Sequence, residues 1–106
     1  MTKQIRVIIV EPKKPAVVTN IPNTLEAKQK LVGGHIECVR FDGFDIIINE
    51  EGKLENLEPN FSIYDGMDYI AGTAIFAGVD YDKGEFKSLS TEQINLILRG
   101  FHRREK

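Results

Sequence analysis

The sequence contains a single cysteine, Cys38, no tryptophan and two histidines among its 106 residues. One cysteine cannot form an intramolecular disulfide, so we expect a protein of a reducing compartment, the cytoplasm. No apolar run is long enough to cross a bilayer, and the N-terminus lacks a signal-peptide pattern. These absences argue against a disulfide-stabilised secreted domain and predict no membrane contact.

Net charge is also small, −2 at neutral pH, but it is unevenly distributed. Residues 99–106 carry four basic side chains against one acidic, which leaves ten basic and 15 acidic ones in the other 98 residues. A mildly acidic body does not suit sequence-independent nucleic-acid binding, which depends on neutralising phosphates. We therefore expect no nucleic-acid contact except through the C-terminus, where Arg99, Arg103 and Arg104 could meet phosphates or an acidic partner. The same charges also stabilise a helix C-terminus.

Length predicts one domain over residues 1–106, with a short basic tail at 102–106. Apolar residues, 42% of the chain, are enough for a single core. Their alternation and the turn residues between them predict strands at 4–10, 16–21, 35–41, 44–49 and 69–79, and allow short strands at 60–64 and 85–87. Hairpin turns are predicted between the first and second strands and, at Asp42-Gly43, between the third and fourth. In the first strand, Ile5, Val7 and Ile9 are expected to face the core.

Two helices are predicted. Asn23 or Thr24 caps the first, and Gly33 ends it because glycine adopts the left-handed conformation of a C-cap without steric cost. Its buried side is expected to comprise Leu25, Ala27, Leu31 and Val32.

The second helix begins after Ser90, which forms a capping box with Gln93. Its apolar stripe comprises Ile94, Ile97, Leu98 and Phe101. The predicted fold is therefore α+β, a mostly antiparallel sheet of about five to six strands with two helices packed on one face.

No catalytic or metal-binding motif is complete. His35 and Glu37 match part of the zinc-deaminase signature, but that site requires a further cysteine pair. Residues 80–85 begin like a calcium loop, yet glycine is fifth instead of sixth and the twelfth residue is Thr91 instead of glutamate. Phosphate-binding glycine loops and nucleophile elbows are missing. We therefore expect no enzyme, no cofactor and no bound metal.

Residues 49–60 form the strongest candidate for a ligand- or partner-binding site. Asn49 and Asn60 bracket a predicted turn, Glu50 and Glu51 are expected to be exposed, and Gly52 permits a positive φ. The same residue types also build a purely structural turn, so both roles stay open.

The strand predicted at 69–79 is rich in small residues, among them Gly72 and Gly78. Small side chains let a helix, another backbone or a ligand approach closely. Gly72 is therefore a further candidate, and a small ligand such as a nucleotide could bind beside residues 71–78.

The order and spacing of several short motifs resemble a family of short bacterial proteins classed as a domain of unknown function and encoded largely in phages, plasmids and conjugative elements. The motifs lie at residues 5–12, 24–27, 32–34, 36–37, 49–54, 59–60 and 70–73, so the resemblance covers nearly the whole chain. It implies no established activity, cofactor or catalytic residue. It does imply a mobile-element setting, in which small proteins often bind a host or element-encoded partner.

Together these observations predict a small non-enzymatic binding module of a phage or mobile genetic element that acts through a protein partner. Two alternatives stay open: binding of a small ligand or nucleotide beside residues 71–78, and an accessory nucleic-acid contact through the basic C-terminus. A deep pocket with convergent polar groups would favour the ligand. An exposed apolar patch or a free sheet edge would favour the partner.

Overall fold

The computed structural model of the protein describes residues 3–101. Within them the elements are β1 (Gln4–Val10), β2 (Val17–Pro22), α1 (Leu25–Val32), β3 (Ile36–Arg40), β4 (Phe44–Asn49), β5 (Pro59–Ile63), β6 (Asp68–Ala71), β7 (Ala74–Asp80), β8 (Glu85–Lys87) and α2 (Thr91–Gly100). None of the helices in this part of the chain has the length and apolar character needed to span a membrane.

The main sheet has six strands, five of them in the order β2-β1-β7-β4-β3, and β8 pairs with the end of β7. Its strand pairs are antiparallel. Strands β5 and β6 form a separate two-stranded sheet. The α+β class, the antiparallel sheet and the two helices are confirmed.

The continuous strand predicted at 69–79 is wrong, because the chain bends at Gly72 and Thr73. Gly72 has a φ of +82°, which turns the backbone out of the extended conformation. Strand β6 therefore pairs with β5, whereas β7 becomes the centre of the main sheet.

The main sheet is covered on both faces, because successive residues of a strand point to opposite sides. On one face, Ile8 of β1 and Phe76 of β7 pack with Ile94 of α2. On the other face, Val7 and Ile75 pack with Val32 of α1. The helices thus lie on opposite faces instead of sharing one, and in β1 Ile8 and Val10 are buried as well as Ile5 and Val7. A strand buried on both sides needs apolar residues at consecutive positions.

Helix α1 presents to the core a side that is only partly the predicted one. Val32 is buried, as predicted, whereas Leu25 and Leu31 are exposed and Lys28 is buried instead. The aliphatic stem of a lysine can fill an apolar contact while its amine reaches polar groups, so the apolar residues alone did not identify the buried side. The predicted caps are confirmed: the Thr24 hydroxyl accepts a hydrogen bond from the Ala27 amide, and Gly33 is left-handed.

In α2 the capping box of Ser90 and Gln93 is present, as predicted. Ile94 and Ile97 are buried. Leu98 and Phe101 are half-buried at the end of the helix and pack against the same core.

Candidate functional site

Asn49, at the end of β4, is buried, and its side-chain amide forms hydrogen bonds with neighbouring backbone groups. The Nδ2 atom donates to the Val32 carbonyl oxygen at 3.3 Å, and Oδ1 accepts from the Glu51 amide at 2.8 Å. These bonds join the end of α1 to the turn after β4. Asn49 therefore builds the turn, which satisfies its polar atoms without any ligand.

Glu50 and Glu51 are exposed, as predicted, but Gly52 differs from the prediction because its φ is not positive. Gly52 is buried, and a Cβ atom there would lie 2.9 Å from the Ala71 carbonyl oxygen. The close approach of β6 thus requires glycine at this position. The left-handed residue of this turn is Asn56, with a φ of +55°.

Asn60 and Gly72 lie side by side. The Asn60 Nδ2 atom donates to the carbonyl oxygens of Gly72 and Val10, at 2.8 Å each. The Gly72 amide donates to the Glu58 carbonyl oxygen at 2.8 Å. The two residues therefore attach the β5–β6 sheet to the end of β1, which is a structural task.

Three of the predicted residues, Asn49, Glu50 and Gly52, line a cavity of about 370 Å³. Lys53, Asp68 and Tyr69 also line it. The Lys53 amine forms an ion pair with the Asp68 carboxylate and lies over the Tyr69 ring, 4.7 Å from its centroid. The hydrogen bond from Lys53 lowers the pKa of Asp68 and raises that of the lysine. Lys53 and Asp68 are thus already paired with each other.

At the C-terminal end of α2, Arg99 is exposed in the last turn, where a cation is favourable to the helix dipole. The other two predicted basic residues, Arg103 and Arg104, lie outside the described residues, as does the proposed tail at 102–106.

The structure assembles an apolar groove of about 490 Å³ between α2, β4 and the β5–β6 turn. We call it the aromatic groove; it is lined chiefly by Phe41, Phe44, Phe61, Phe76, Leu96 and Phe101. The rings pack in a continuous series. The ring centroids of Phe44 and Phe76 are 6.0 Å apart, and those of Phe101 and Phe61, which pack edge-to-face, are 5.1 Å apart. The phenylalanines come from four separate segments of the sequence, so local sequence patterns did not reveal the groove.

Two exposed large apolar side chains line the aromatic groove. Leu96 on α2 is 65% exposed, and Tyr64 in the β5–β6 turn is 54% exposed. Tyr64 has a φ of +53°, an unfavourable conformation for a bulky residue, and its ring lies 5.9 Å from that of Phe41. Asp65 and Gly66 in the same turn also have a positive φ, so the conformation of Tyr64 belongs to the hairpin turn that places its ring beside the groove.

On the opposite face of the main sheet, a cavity of about 540 Å³ is lined by Cys38, Arg40, Asp45, Tyr81 and Phe86, among others. Asp45 is buried within the apolar strand β4. A single charged residue between Phe44 and Ile46 was a visible signal in the sequence, and the sequence analysis missed it.

Within residues 3–101, no three histidine, cysteine, aspartate or glutamate side chains come together in a group that could hold a metal ion. That the protein takes no metal or other cofactor stays a prediction.

Comparisons with curated proteins and with solved structures find no match. A family profile described as Domain of unknown function (DUF3846) matches residues 5–102. This span includes the main sheet, both helices and the two cavities lined by Phe76 and by Asp45. The chain therefore belongs to the DUF3846 family.

Proposed function

We propose that the protein is a non-enzymatic binding module whose aromatic groove receives an apolar side chain of a protein partner. The observation that carries the proposal is a concave aromatic surface, open to solvent, with Leu96 and Tyr64 exposed at it. Apolar surface of this kind is typical of sites at which proteins meet, and aromatic pockets commonly receive the anchoring residues of a partner.

The groove is lined mainly by apolar side chains, with Asp42, Ser62 and Gln93 as its polar ones apart from the Tyr64 hydroxyl, and this favours a protein partner over a polar small molecule. Small-molecule sites usually add a few convergent polar groups to an apolar lining. Here the Gln93 side chain, which borders the groove, already bonds to the Ser90 amide and to the Gly43 carbonyl oxygen. An amphipathic segment that buries one apolar face would fit this lining better.

Basic residues near the groove in the sequence support a partner that carries acidic residues. Phe101 lines the groove, Arg99 precedes it and is exposed, and Arg103 and Arg104 follow closely in the sequence. A partner segment with acidic residues next to its apolar anchor would complement these charges. The acidic partner expected for the basic C-terminus would then be the partner that also contacts the groove.

A phage or mobile-element origin and a cytoplasmic setting are part of this proposal. The family resemblance supports the first, and the single cysteine supports the second. Binding of a ligand beside residues 71–78 stays an alternative, although residues 74–77 are buried and the groove reaches this strand at Phe76.

The proposal is tested by quantitative affinity capture from the native host with three proteins: wild type, Leu96→Ser and Met67→Ser. Met67, 86% exposed, is a matched control because it is an exposed apolar residue that does not line the groove. We expect one protein to be enriched by wild type and by Met67→Ser and to be lost with Leu96→Ser. Equal enrichment by all three proteins, or none, would reject the groove as the contact surface.

The nucleic-acid alternative is tested by fluorescence anisotropy with short DNA and RNA at low salt. A deletion of residues 103–106 should weaken any binding that depends on the basic C-terminus and flatten its salt dependence. If the intact protein binds neither probe, this alternative is excluded.

A further inference from the structure

Asp45 is a buried carboxylate, one oxygen of which lacks a hydrogen-bond donor among residues 3–101. It is 4% exposed, and among the described residues its Oδ1 atom has no hydrogen-bond partner. Burial raises the pKa of Asp45, whereas the nearby Arg40 lowers it. A buried polar atom that lacks a partner destabilises a fold, so its retention calls for an explanation.

The charge that could neutralise Asp45 is directed elsewhere. Arg40 stands directly opposite Asp45 in the β3–β4 pair, yet its guanidinium lies over the Tyr81 ring, 5.2 Å from the centroid. The ion pairs found within residues 3–101 do not include Asp45.

A buried cation on this face, Lys28, is also engaged by other groups. Lys28 is 3% exposed, and its Nζ atom donates to Asn23 Oδ1 at 2.8 Å and to the Thr24 carbonyl oxygen at 3.3 Å. The same amine lies over the Phe86 ring, 4.8 Å from its centroid. Asn23 in turn donates to the Phe86 carbonyl oxygen at 3.0 Å, so Phe86 is held in place from its ring and from its backbone.

Asp45, Arg40, Tyr81 and Phe86 all line the cavity of about 540 Å³ on this face. That volume lies within the range of small-molecule sites, roughly 300–1,000 Å³. The lining combines aromatic rings with Asp45, whose Oδ1 atom lacks a donor among the described residues. Aromatic rings favour planar ligands, because such ligands can stack on them. A metal ion suits this lining less well, because within residues 3–101 no three ligating side chains meet.

We propose that this cavity binds a small planar molecule that presents two adjacent N–H donors to the Asp45 carboxylate. A carboxylate accepts such a pair through two parallel hydrogen bonds, the strongest arrangement that it can form. An amidine has this edge, and so does the N1–H and 2-amino edge of guanine. Amidines and guanines thus present the same pair of N–H donors, and binding experiments can distinguish these two classes of ligand.

Cys38 provides a reporter for the site, because it is the only cysteine of the chain and lines the same cavity. Burial and the neighbouring Asp45 raise the pKa of its thiol, so the thiol stays protonated near neutral pH. We assign it no nucleophilic role. A ligand in the cavity should slow its alkylation.

The test uses calorimetric titration with guanosine and benzamidine, and with inosine and benzamide as matched probes that lack the paired donors. We expect guanosine or benzamidine to bind the wild-type protein and to slow alkylation of Cys38. Inosine or benzamide should bind at least about tenfold more weakly, as expected for the loss of a hydrogen bond to a charged group. Binding of one parent probe and not the other identifies which source the site prefers.

Asp45→Asn should lower the affinity by a similar factor, while the exposed control Asp65→Asn should leave it unchanged. Wild-type protein already alkylated at Cys38 should not bind, which keeps the test valid if Asp45→Asn folds poorly. The inference is overturned if neither guanosine nor benzamidine binds at millimolar concentration. It is also overturned if the probe that binds has the same affinity for Asp45→Asn as for wild type, or if its matched probe binds wild type equally well. Leu96→Ser should not affect this site, so the two proposals can fail separately.

Discussion

The side-chain amide of Asn60 donates to the carbonyl oxygen of Gly72 at 2.8 Å, and the same nitrogen donates to Val10 at 2.8 Å. One side chain thus links β5, the bend between β6 and β7, and the end of β1. The link fixes the β5–β6 sheet against the main sheet. Since Tyr64 lies in the turn of that small sheet, the link also positions one side of the aromatic groove.

Asn60→Ala should lower the free energy of unfolding by about 1–3 kcal/mol, because two carbonyl oxygens would lose a common donor. Chemical denaturation measures the change. Asn95→Ala is the matched control, since Asn95 is exposed on α2 and its replacement should change stability by less than about 0.5 kcal/mol. Equal midpoints for Asn60→Ala and wild type would show that the link does not stabilise the fold.

Gly72→Val should be more destabilising than Gly66→Val. Both glycines have a positive φ, +82° and +85°, so both variants share the backbone strain. A Cβ atom at Gly72 would lie 2.8 Å from Leu57 Cδ1, whereas at Gly66 nothing lies within 4 Å. The additional overpacking should cost roughly 1–3 kcal/mol in denaturation experiments. Similar losses in the two variants would mean that Leu57 moves aside freely.

Phe101→Ala should lower the free energy of unfolding by about 2 kcal/mol, less than the loss of a fully buried ring. Phe101 is half-buried and meets both Phe61 and Phe76 edge-to-face, at 5.1 and 5.8 Å. Leu96→Ser, on the exposed side of the same helix, should leave stability within about 0.5 kcal/mol of wild type. If Phe101→Ala has the same free energy of unfolding as wild type, Phe101 does not contribute to the core.

Asp45→Asn should raise the free energy of unfolding at pH 7. The pKa of Asp45 is raised in the folded state, so folding favours its protonated form, and stability falls as the pH rises through the window between the unfolded and folded pKa values. The advantage of the variant should therefore shrink as the pH falls toward about 4, near the pKa of an unfolded aspartate. Denaturation midpoints across this pH range measure the effect.

Asp68 provides a control of opposite sign. Its pKa is lowered by the hydrogen bond from Lys53, so the contribution of this carboxylate to stability is lost as the pH falls through the folded pKa. Asp68→Asn should remove that acid-sensitive contribution instead. An Asp45→Asn variant that is less stable than wild type at pH 7 would mean that the buried carboxylate has a partner after all.

Local signals predicted the parts of the fold whose partners lie close in the chain. The Asp42-Gly43 turn between β3 and β4 and the Ser90–Gln93 capping box were both predicted, because each depends on residues at most a few positions apart. The consecutive apolar residues from Val7 to Val10 also carried a signal that β1 is buried on both faces, and the sequence analysis used only the odd positions.

The bend at Gly72 and the aromatic groove could not be predicted in the same way. The bend lies beside Leu57, Glu58 and Asn60, which the pairing of β5 with β6 brings next to Gly72. The groove brings together residues from Phe41 to Phe101. Asn49 and Asn60 were recognised as special, but their structural role became visible only with the backbone groups that they bind.

The most direct test of the proposed binding function places a photo-crosslinking amino acid at position 96 or at position 67 and irradiates the protein in its native host. Both positions carry exposed apolar residues, but only Leu96 lines the aromatic groove. We predict a discrete crosslinked product with a single protein at position 96, absent at position 67. Products of equal intensity at both positions, or a product at 67 alone, would contradict the proposal that the groove is the partner site.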